Sequence, residues 1–362
     1  MAMKDVARYW AQRYFSDEEA VIFFLMLVGG FSIVIFMGAM LAPFLASVVL
    51  AYLLAGIVRK LEEIHIPFKL AVVIVFLLFV SLLSALVLVV FPIAWRQLMT
   101  LTDELPGMLS AGQRLLLLLP EQYPSLISPE QMKELIGVAA VEIGQIGQKL
   151  VSLSLASVPN LFALMIYLVL VPILVFFLLK DRDLLIRWFV SHLPEKRVFM
   201  TGIWREMDQQ LANYIRGKFI EIVIVGVATY LGLIAFNVEY SALLGLLVGL
   251  SVLVPYIGAA VVTVPVVLIG MFQFGLNDTF FYMLMVYGII QALDGNVLVP
   301  LLFSEAVNLH PVAIIVAVLA FGGVWGFWGI FFAIPLATLL KAILYAWPRA
   351  VDATDLQTTK VI

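Results

Sequence analysis

The sequence predicts an all-α polytopic membrane protein with about eight membrane segments. Hydrophobic residues make up 64% of the 362 residues and charged residues only 12%, and the mean hydropathy is +1.11. These values lie outside the range of soluble domains. The chain has no cysteine, which excludes disulfides and thiolate metal sites.

Eight apolar runs provide the membrane segments. Six of them have close to the ~20 residues with which a helix crosses a bilayer: 20–40, 42–58, 70–95, 158–179, 219–236 and 280–303. Two longer runs, 242–274 and 312–347, contain glycine and proline in the middle, so we expect broken or re-entrant hairpins or kinked spans. The predicted divisions are an amino-terminal three-span unit (1–95), an extramembrane helical segment (96–157), a fourth span with a cytoplasmic amphipathic elbow (158–218), a transport core (219–347) and a cytoplasmic tail (348–362).

The basic residues predict the orientation. With the amino terminus in the cytoplasm, 17 of the 21 Lys and Arg residues lie on the cytoplasmic side and 4 lie outside. This excess is what the positive-inside rule requires. We therefore expect a multi-pass protein of the cell inner membrane, with both termini in the cytoplasm and residues 103–150 outside.

The two extramembrane segments carry helical patterns. Outside the bilayer, Ser128 and Pro129 are typical of a helix start, which favours a small helical cap. Inside, apolar residues recur at helical spacing between Phe199 and Tyr214, with basic residues between them. This pattern predicts an amphipathic elbow that lies flat on the inner leaflet.

Asp294 is the acid that lies in the middle of a predicted span. An ionised carboxylate at that depth costs about 3 kcal/mol unless it has a partner or a wet cavity. The chain has no Lys or Arg between Lys218 and Lys341 that could pair with it. We interpret Asp294 as a group that titrates or binds a cation, while its neighbours Gln291 and Asn296 hydrogen-bond a solute. The alternative is an interhelical hydrogen-bond clamp.

Two helix breaks are predicted within the transport core, one in each long run. Because a break exposes backbone polar groups, it must be covered by protein or by a polar path. We expect the two breaks to line one cavity near Asp294, and the alternative is tight glycine packing at separate interfaces. The core can also be divided into two similar units, and if the interrupted runs are hairpins the two units run in opposite directions, which is typical of inverted-repeat transporters. The residues predicted to shape the pathway at the breaks are Pro255, Tyr256, Gly258, Gly322, Gly326 and Gly329.

The remaining acids of this region lie near predicted turns or span ends. Glu305 closes the span that contains Asp294 and is included in the predicted pathway. Glu221, Glu239 and Asp278 are expected to be acids of the membrane interface.

Several functional classes are disfavoured by what the sequence lacks. It has no phosphate-binding glycine loop, no hydrolase nucleophile elbow and no metalloprotease motif, and its three histidines are scattered. We therefore expect no enzyme activity and no cofactor. The basic segment 180–218 is too narrow for nucleic acid.

Short motifs along the chain resemble the autoinducer-2 exporter family in order and spacing. They are FFLLKDRD at 176–183, NYIRGK at 213–218, VPYIGA at 254–259, and His310-Pro311 followed by FGG at 321–323 and by Pro335. The run DGNVLVPLLFSE at 294–305 resembles the PerM-type permease branch. The resemblance spans essentially the whole chain. It implies an oligomeric inner-membrane permease of a family linked to export of autoinducer-2 or to sodium/proton exchange.

These observations together predict a secondary transporter or exporter of a small solute, or an ion-coupled antiporter. The expected partners are a small-molecule or ion substrate, the lipid bilayer and further copies of the chain. The alternatives are a passive channel that uses the same helix breaks, and a membrane scaffold or assembly protein that uses residues 96–157.

Overall fold

The computed structural model describes residues 18–122, 160–195, 197–303 and 309–346, and the single residue Gly137. Every regular element among these residues is an α-helix or a π-helical turn, which confirms the all-α prediction. Six helical segments of this part of the chain are long and apolar enough to cross a membrane, and shorter apolar helices accompany them. The helix start predicted at Ser128 lies outside the described residues.

The amino-terminal helix is longer than either span predicted for it. Helix α1 (Glu18–Glu63) is continuous and contains both apolar runs, with Pro43 between its two halves. A continuous helix contains no reversal of chain direction. Two spans in opposite directions would need a turn between them, and α1 contains none. The cytoplasmic placement of residues 1–17 assumed that turn, and it stays a prediction.

The next helices extend the third predicted span beyond its expected end. Helix α2 (Phe68–Ala85) continues through a π turn (Leu86–Val90) into α3 (Phe91–Gln122). An apolar stretch of 41 residues, Phe68–Met108, runs through all three elements. The start of the segment predicted to lie outside the bilayer is therefore a helical extension of a span.

The predicted elbow and the fifth span also join into one helix. Helix α4 (Asn160–Lys180) matches the fourth span, and the short α5 (Arg182–Val190) follows it. Helix α6 (Val198–Ala235) then runs without interruption. Ile203 and Tyr214 of the predicted amphipathic face are buried within the protein, and the Tyr214 hydroxyl donates to the Phe331 carbonyl at 2.8 Å. This apolar face therefore packs against protein, which differs from an elbow lying on lipid.

Both long apolar runs are interrupted, as predicted. The first contains α7 (Ser241–Ser251) and α8 (Ile257–Phe274), which pack against each other. After α9 (Asp278–Leu293), a π turn (Asp294–Leu298) and α10 (Val299–Phe303), the second contains α11 (Pro311–Trp325), α12 (Phe327–Phe331) and α13 (Ala333–Ala346). Helix α11 packs against both α12 and α13.

Contacts divide the chain into two compact units. The first unit falls within residues 1–69, 174–217 and 303–362, and the second within 70–173 and 218–302. The core of the second unit is formed by side chains such as Val225 of α6, Val248 of α7, Val266 of α8 and Met283 of α9, each at most 1% exposed. The first broken hairpin belongs to the second unit and the second broken hairpin to the first unit.

Candidate transport site

Asp294 begins the π turn that interrupts the helix after α9. The backbone N–H of Val299 donates to the Asp294 carbonyl, five residues back, which defines the wider turn. Asp294 is 8% exposed, whereas Gly295 and Asn296 are exposed. Because π turns inside α-helices often occur at functional sites, this geometry supports the choice of Asp294 as a candidate residue. The Asn296 amide donates to the Ala292 carbonyl of its own helix at 2.8 Å, and Asn296 is exposed where Asp294 is buried.

A buried ion pair lies on α6. The Lys218 ammonium group donates to the Glu221 carboxylate at 2.8 Å, and the two residues are 5% and 2% exposed. Glu221 was expected to be an acid of the membrane interface. That expectation was wrong, because the Glu221 carboxylate is enclosed by protein and paired with a cation on its own helix.

Asp294 lies within electrostatic range of this pair. Both Lys218 and Glu221 interact with it through their charges. The Asp294 Oδ1 atom is buried and has no hydrogen-bond partner among the residues that the structure describes. A buried oxygen without a donor is costly, and a carboxylate oxygen more so than a neutral one. This oxygen is therefore available to a proton, a cation or a polar solute.

Lys218 also links the acids to the first helix break. Its ammonium group donates to the Val252 carbonyl at 2.7 Å. Val252 directly follows α7, and carbonyls at the end of a helix lack partners within the helix. Lys218 therefore satisfies one of the backbone groups that the break exposes. Sequence reasoning missed this role because Lys218 lies 34 residues from Val252 and 76 from Asp294.

The break itself is tight and locally irregular. Tyr256 adopts a positive φ of 62° and is 60% exposed, and the Ile257 N–H donates to the Pro255 carbonyl at 2.7 Å. Gly258 is buried, and a Cβ atom placed on it would lie 1.8 Å from the Ser251 carbonyl oxygen. Only glycine allows the start of α8 to approach the end of α7 this closely.

A chain of polar side chains joins α8 to α9. The Thr263 hydroxyl donates to the Ala259 carbonyl at 2.7 Å and lies 2.9 Å from the Tyr287 hydroxyl. The Gln291 amide donates to Tyr287 at 2.8 Å. Since Thr263 has one proton and uses it at Ala259, Tyr287 must donate to Thr263. The chain is therefore directed from Gln291 near the π turn to Ala259 beside the helix break.

The second break, in the first unit, depends on three of the predicted glycines. Gly326 adopts a positive φ of 58° at the end of α11, and its N–H donates to the Gly322 carbonyl at 2.7 Å. A Cβ atom on the buried Gly329 would lie 1.9 Å from the Phe321 carbonyl oxygen. This close approach resembles the one at Gly258, and it agrees with the similarity proposed between the two halves of the core.

The predicted site residues therefore fall into three groups. The second unit brings together Asp294, Gln291 and the first break, with Lys218, Glu221, Thr263 and Tyr287 as additional polar members. The glycines of the second break belong to the first unit, so a shared cavity stays a prediction. Glu305 lies outside the described residues.

A multi-pass helical protein with buried charges beside a broken helix is typical of membrane transporters. A family model described as AI-2E family transporter matches residues 21–349. The chain is 48% identical over 346 residues to "Putative permease PerM" of Escherichia coli (strain K12), covering 96% of this chain and 98% of that protein. It is 27% identical over 321 residues to "Putative transport protein YueF" of Bacillus subtilis (strain 168), covering 85% and 84%. The chain belongs to the AI-2E transporter family and is a multi-pass membrane protein.

Proposed function

We propose that the protein is an ion-coupled secondary transporter of the cell inner membrane that exports or exchanges a small polar solute, with Asp294 as the coupling acid. Membership of the family supports membrane transport in general. The observation that carries the finer proposal is the Asp294 carboxylate, which is buried in a π turn with one oxygen unpartnered among the described residues. The family description makes autoinducer-2 the first solute to test.

Ion coupling at this site depends on the charge of Asp294. A transporter is coupled to an ion when the ion binds its two conformations with different affinity. A carboxylate enclosed by protein can give such a difference in ion affinity, because an ionised and unpaired carboxylate is strongly destabilised there and neutralisation removes this cost. Exposed acids give no such difference in affinity, since water stabilises their charge in every conformation. Asp294 meets this condition, whereas Asp278 and Glu239 are exposed.

The hydrogen-bonded chain from Gln291 to Ala259 supplies a route for mechanical coupling in the same unit. Gln291 precedes Asp294 by three residues, so a change in the π turn moves the donor that holds Tyr287. Tyr287 holds Thr263 of α8, whose first turn forms the wall of the break. Neutralisation of Asp294 therefore acts on the broken hairpin through three side chains.

The test is solute flux in proteoliposomes that contain the full chain. We expect the wild type to move solute faster when an ion gradient is imposed, and Asp294→Asn to lose this dependence while reconstituting normally. Asp278→Asn is the matched control, because it removes the same charge from an exposed position at the start of α9. Gradient-driven flux that persists in Asp294→Asn would show that the coupling acid is elsewhere.

The same assay separates the alternatives. A passive channel would move solute down its own gradient at a rate that imposed ion gradients leave unchanged. A scaffold protein would give no flux of any solute from a panel that includes autoinducer-2.

A further inference from the structure

The charged cluster of the second unit has the composition of a cation site. Two oxygens meet at one position, the Glu221 carboxylate from α6 and the Val252 carbonyl that follows α7, and the Asp294 carboxylate of the π turn interacts with this position through its charge. All three residues are at least nine-tenths buried. The cation at this position is the protein's own, because the Lys218 ammonium group lies 2.8 Å from Glu221 and 2.7 Å from the Val252 carbonyl.

Sodium sites in transporters are built from the same parts. Carboxylates, and backbone carbonyls at the ends of interrupted helices, coordinate the ion, and the negative end of the helix dipole favours positive charge there. Val252 directly follows α7 and so lies at that negative end. An ammonium group and a sodium ion compete for such oxygens, since both carry one positive charge and both need several acceptors.

We propose that the Lys218 ammonium group fills the place of a coupling sodium ion, so that this transporter is coupled to protons. The inference rests on the proposed function and names its ion. A proton needs only one free oxygen, and the Asp294 Oδ1 atom has no partner within the described chain. The proton comes from water, forms an O–H bond at Asp294 and returns to water on the other side.

The charged groups that act on Asp294 explain how its proton is held and released. Lys218 and Glu221 are the charged side chains that interact with Asp294 in the described residues. When Asp294 loses its proton, the ammonium group can be shared between the two acids through charge-assisted hydrogen bonds. When Asp294 is protonated, Lys218 stays paired with Glu221. The two states therefore differ in the position of one side chain that also holds the helix break.

The inference predicts a gain of sodium binding when the ammonium group is removed. Lys218→Met keeps the apolar stem of the side chain but removes the ammonium group, which leaves the oxygens unoccupied. We expect the Tm of this variant, purified as the full chain in detergent, to rise by about 2 °C or more for each tenfold increase in sodium chloride. N-methylglucamine chloride at equal ionic strength should give no such rise. Wild-type protein should respond equally to the two salts.

Two further variants make the test specific. Arg216→Met removes a charge from the same helix but from a side chain that bonds to Ala212 and Asn213, so it should behave as the wild type. Adding Asp294→Asn to Lys218→Met removes an anionic ligand and should weaken the sodium response. A folded Lys218→Met protein that is insensitive to sodium would overturn the inference.

The wild type supplies a test that does not depend on the folding of Lys218→Met. Sodium-specific stabilisation of the wild type that Asp294→Asn abolishes would show that sodium binds beside Lys218, and the inference would be wrong. These readouts measure binding and not transport. Failure here would leave the role of Asp294 in flux intact, whereas normal coupling in Asp294→Asn would end the proposed function.

Discussion

Gly258→Ala is expected to destabilise the first broken hairpin, and the size of the effect can be worked out from its geometry. The added Cβ atom would lie 1.8 Å from the Ser251 carbonyl oxygen and 2.7 Å from its carbonyl carbon. Real Cβ contacts essentially never fall under 3.0 Å, so α7 and α8 would have to separate by more than 1 Å at this point. Both partners of the clash are backbone, so no side-chain rotation can relieve it.

The loss of stability depends on the core packing that the separation of α7 and α8 disturbs. Helices α7 and α8 contribute Val248 and Val266, both fully enclosed, to the core of the second unit. Overpacking typically costs about 1–3 kcal/mol, and a backbone clash lies at the upper end. The better helix propensity of alanine returns at most about 1 kcal/mol. We therefore expect a net loss of about 2 kcal/mol and a Tm lower by about 5 °C.

The assay is thermal unfolding of the full chain in detergent, followed by tryptophan fluorescence. Gly288→Ala is the matched control, because the same methyl group added in α9 meets no atom within 4 Å. That variant should be as stable as the wild type or slightly more stable. A Gly258→Ala protein with the Tm of Gly288→Ala would refute the reasoning, since it would show that the two helix ends are not in backbone contact.

Two further predictions concern the polar chain and the orientation. Tyr287→Phe leaves the Gln291 donor and the Thr263 acceptor without their shared partner and should lower the free energy of unfolding by about 1–2 kcal/mol. The double variant with Thr263→Val should lose less stability than the sum of the two single variants, and strict additivity in this double-mutant cycle would contradict the hydrogen-bonded chain. The native chain has no cysteine, so single cysteine probes can be labelled without a background signal. Ser125→Cys should react with a membrane-impermeant thiol reagent in intact cells and Ser191→Cys should be protected, and the reverse pattern would overturn the predicted orientation.

Glycine allows the close packing of α6 against α7. Gly245 and Gly249 form a small-residue pair, and a Cβ atom on Gly249 would lie 2.8 Å from the Ile222 carbonyl and 2.9 Å from the Gly226 Cα. This approach brings the backbones of α6 and α7 together near Glu221. The ion pair therefore lies near a close backbone contact between the two helices.

The sequence alone determined the features that depend on local composition. The apolar runs predicted the membrane helices because the bilayer thickness sets their length. Clustered glycine and proline in the two long runs predicted the breaks that the structure shows at Tyr256 and Gly326, because both residue types disfavour a continuous helix. Asp294 could be selected because a carboxylate in the middle of an apolar span is costly wherever its partners lie.

Only the tertiary structure decided which groups meet. Lys218 reads in the sequence as a basic residue at the edge of a span, and Glu221 as an acid of the interface. Their charge interactions with Asp294, and the bond from Lys218 to the Val252 carbonyl, join parts of the chain that no local periodicity relates. The continuity of α1 and α6 was likewise missed, because hydropathy records where a helix is apolar and not where it ends. The electrostatic partners of a buried charge are set by packing over long sequence distances, so the cation of this site could be identified only from the fold.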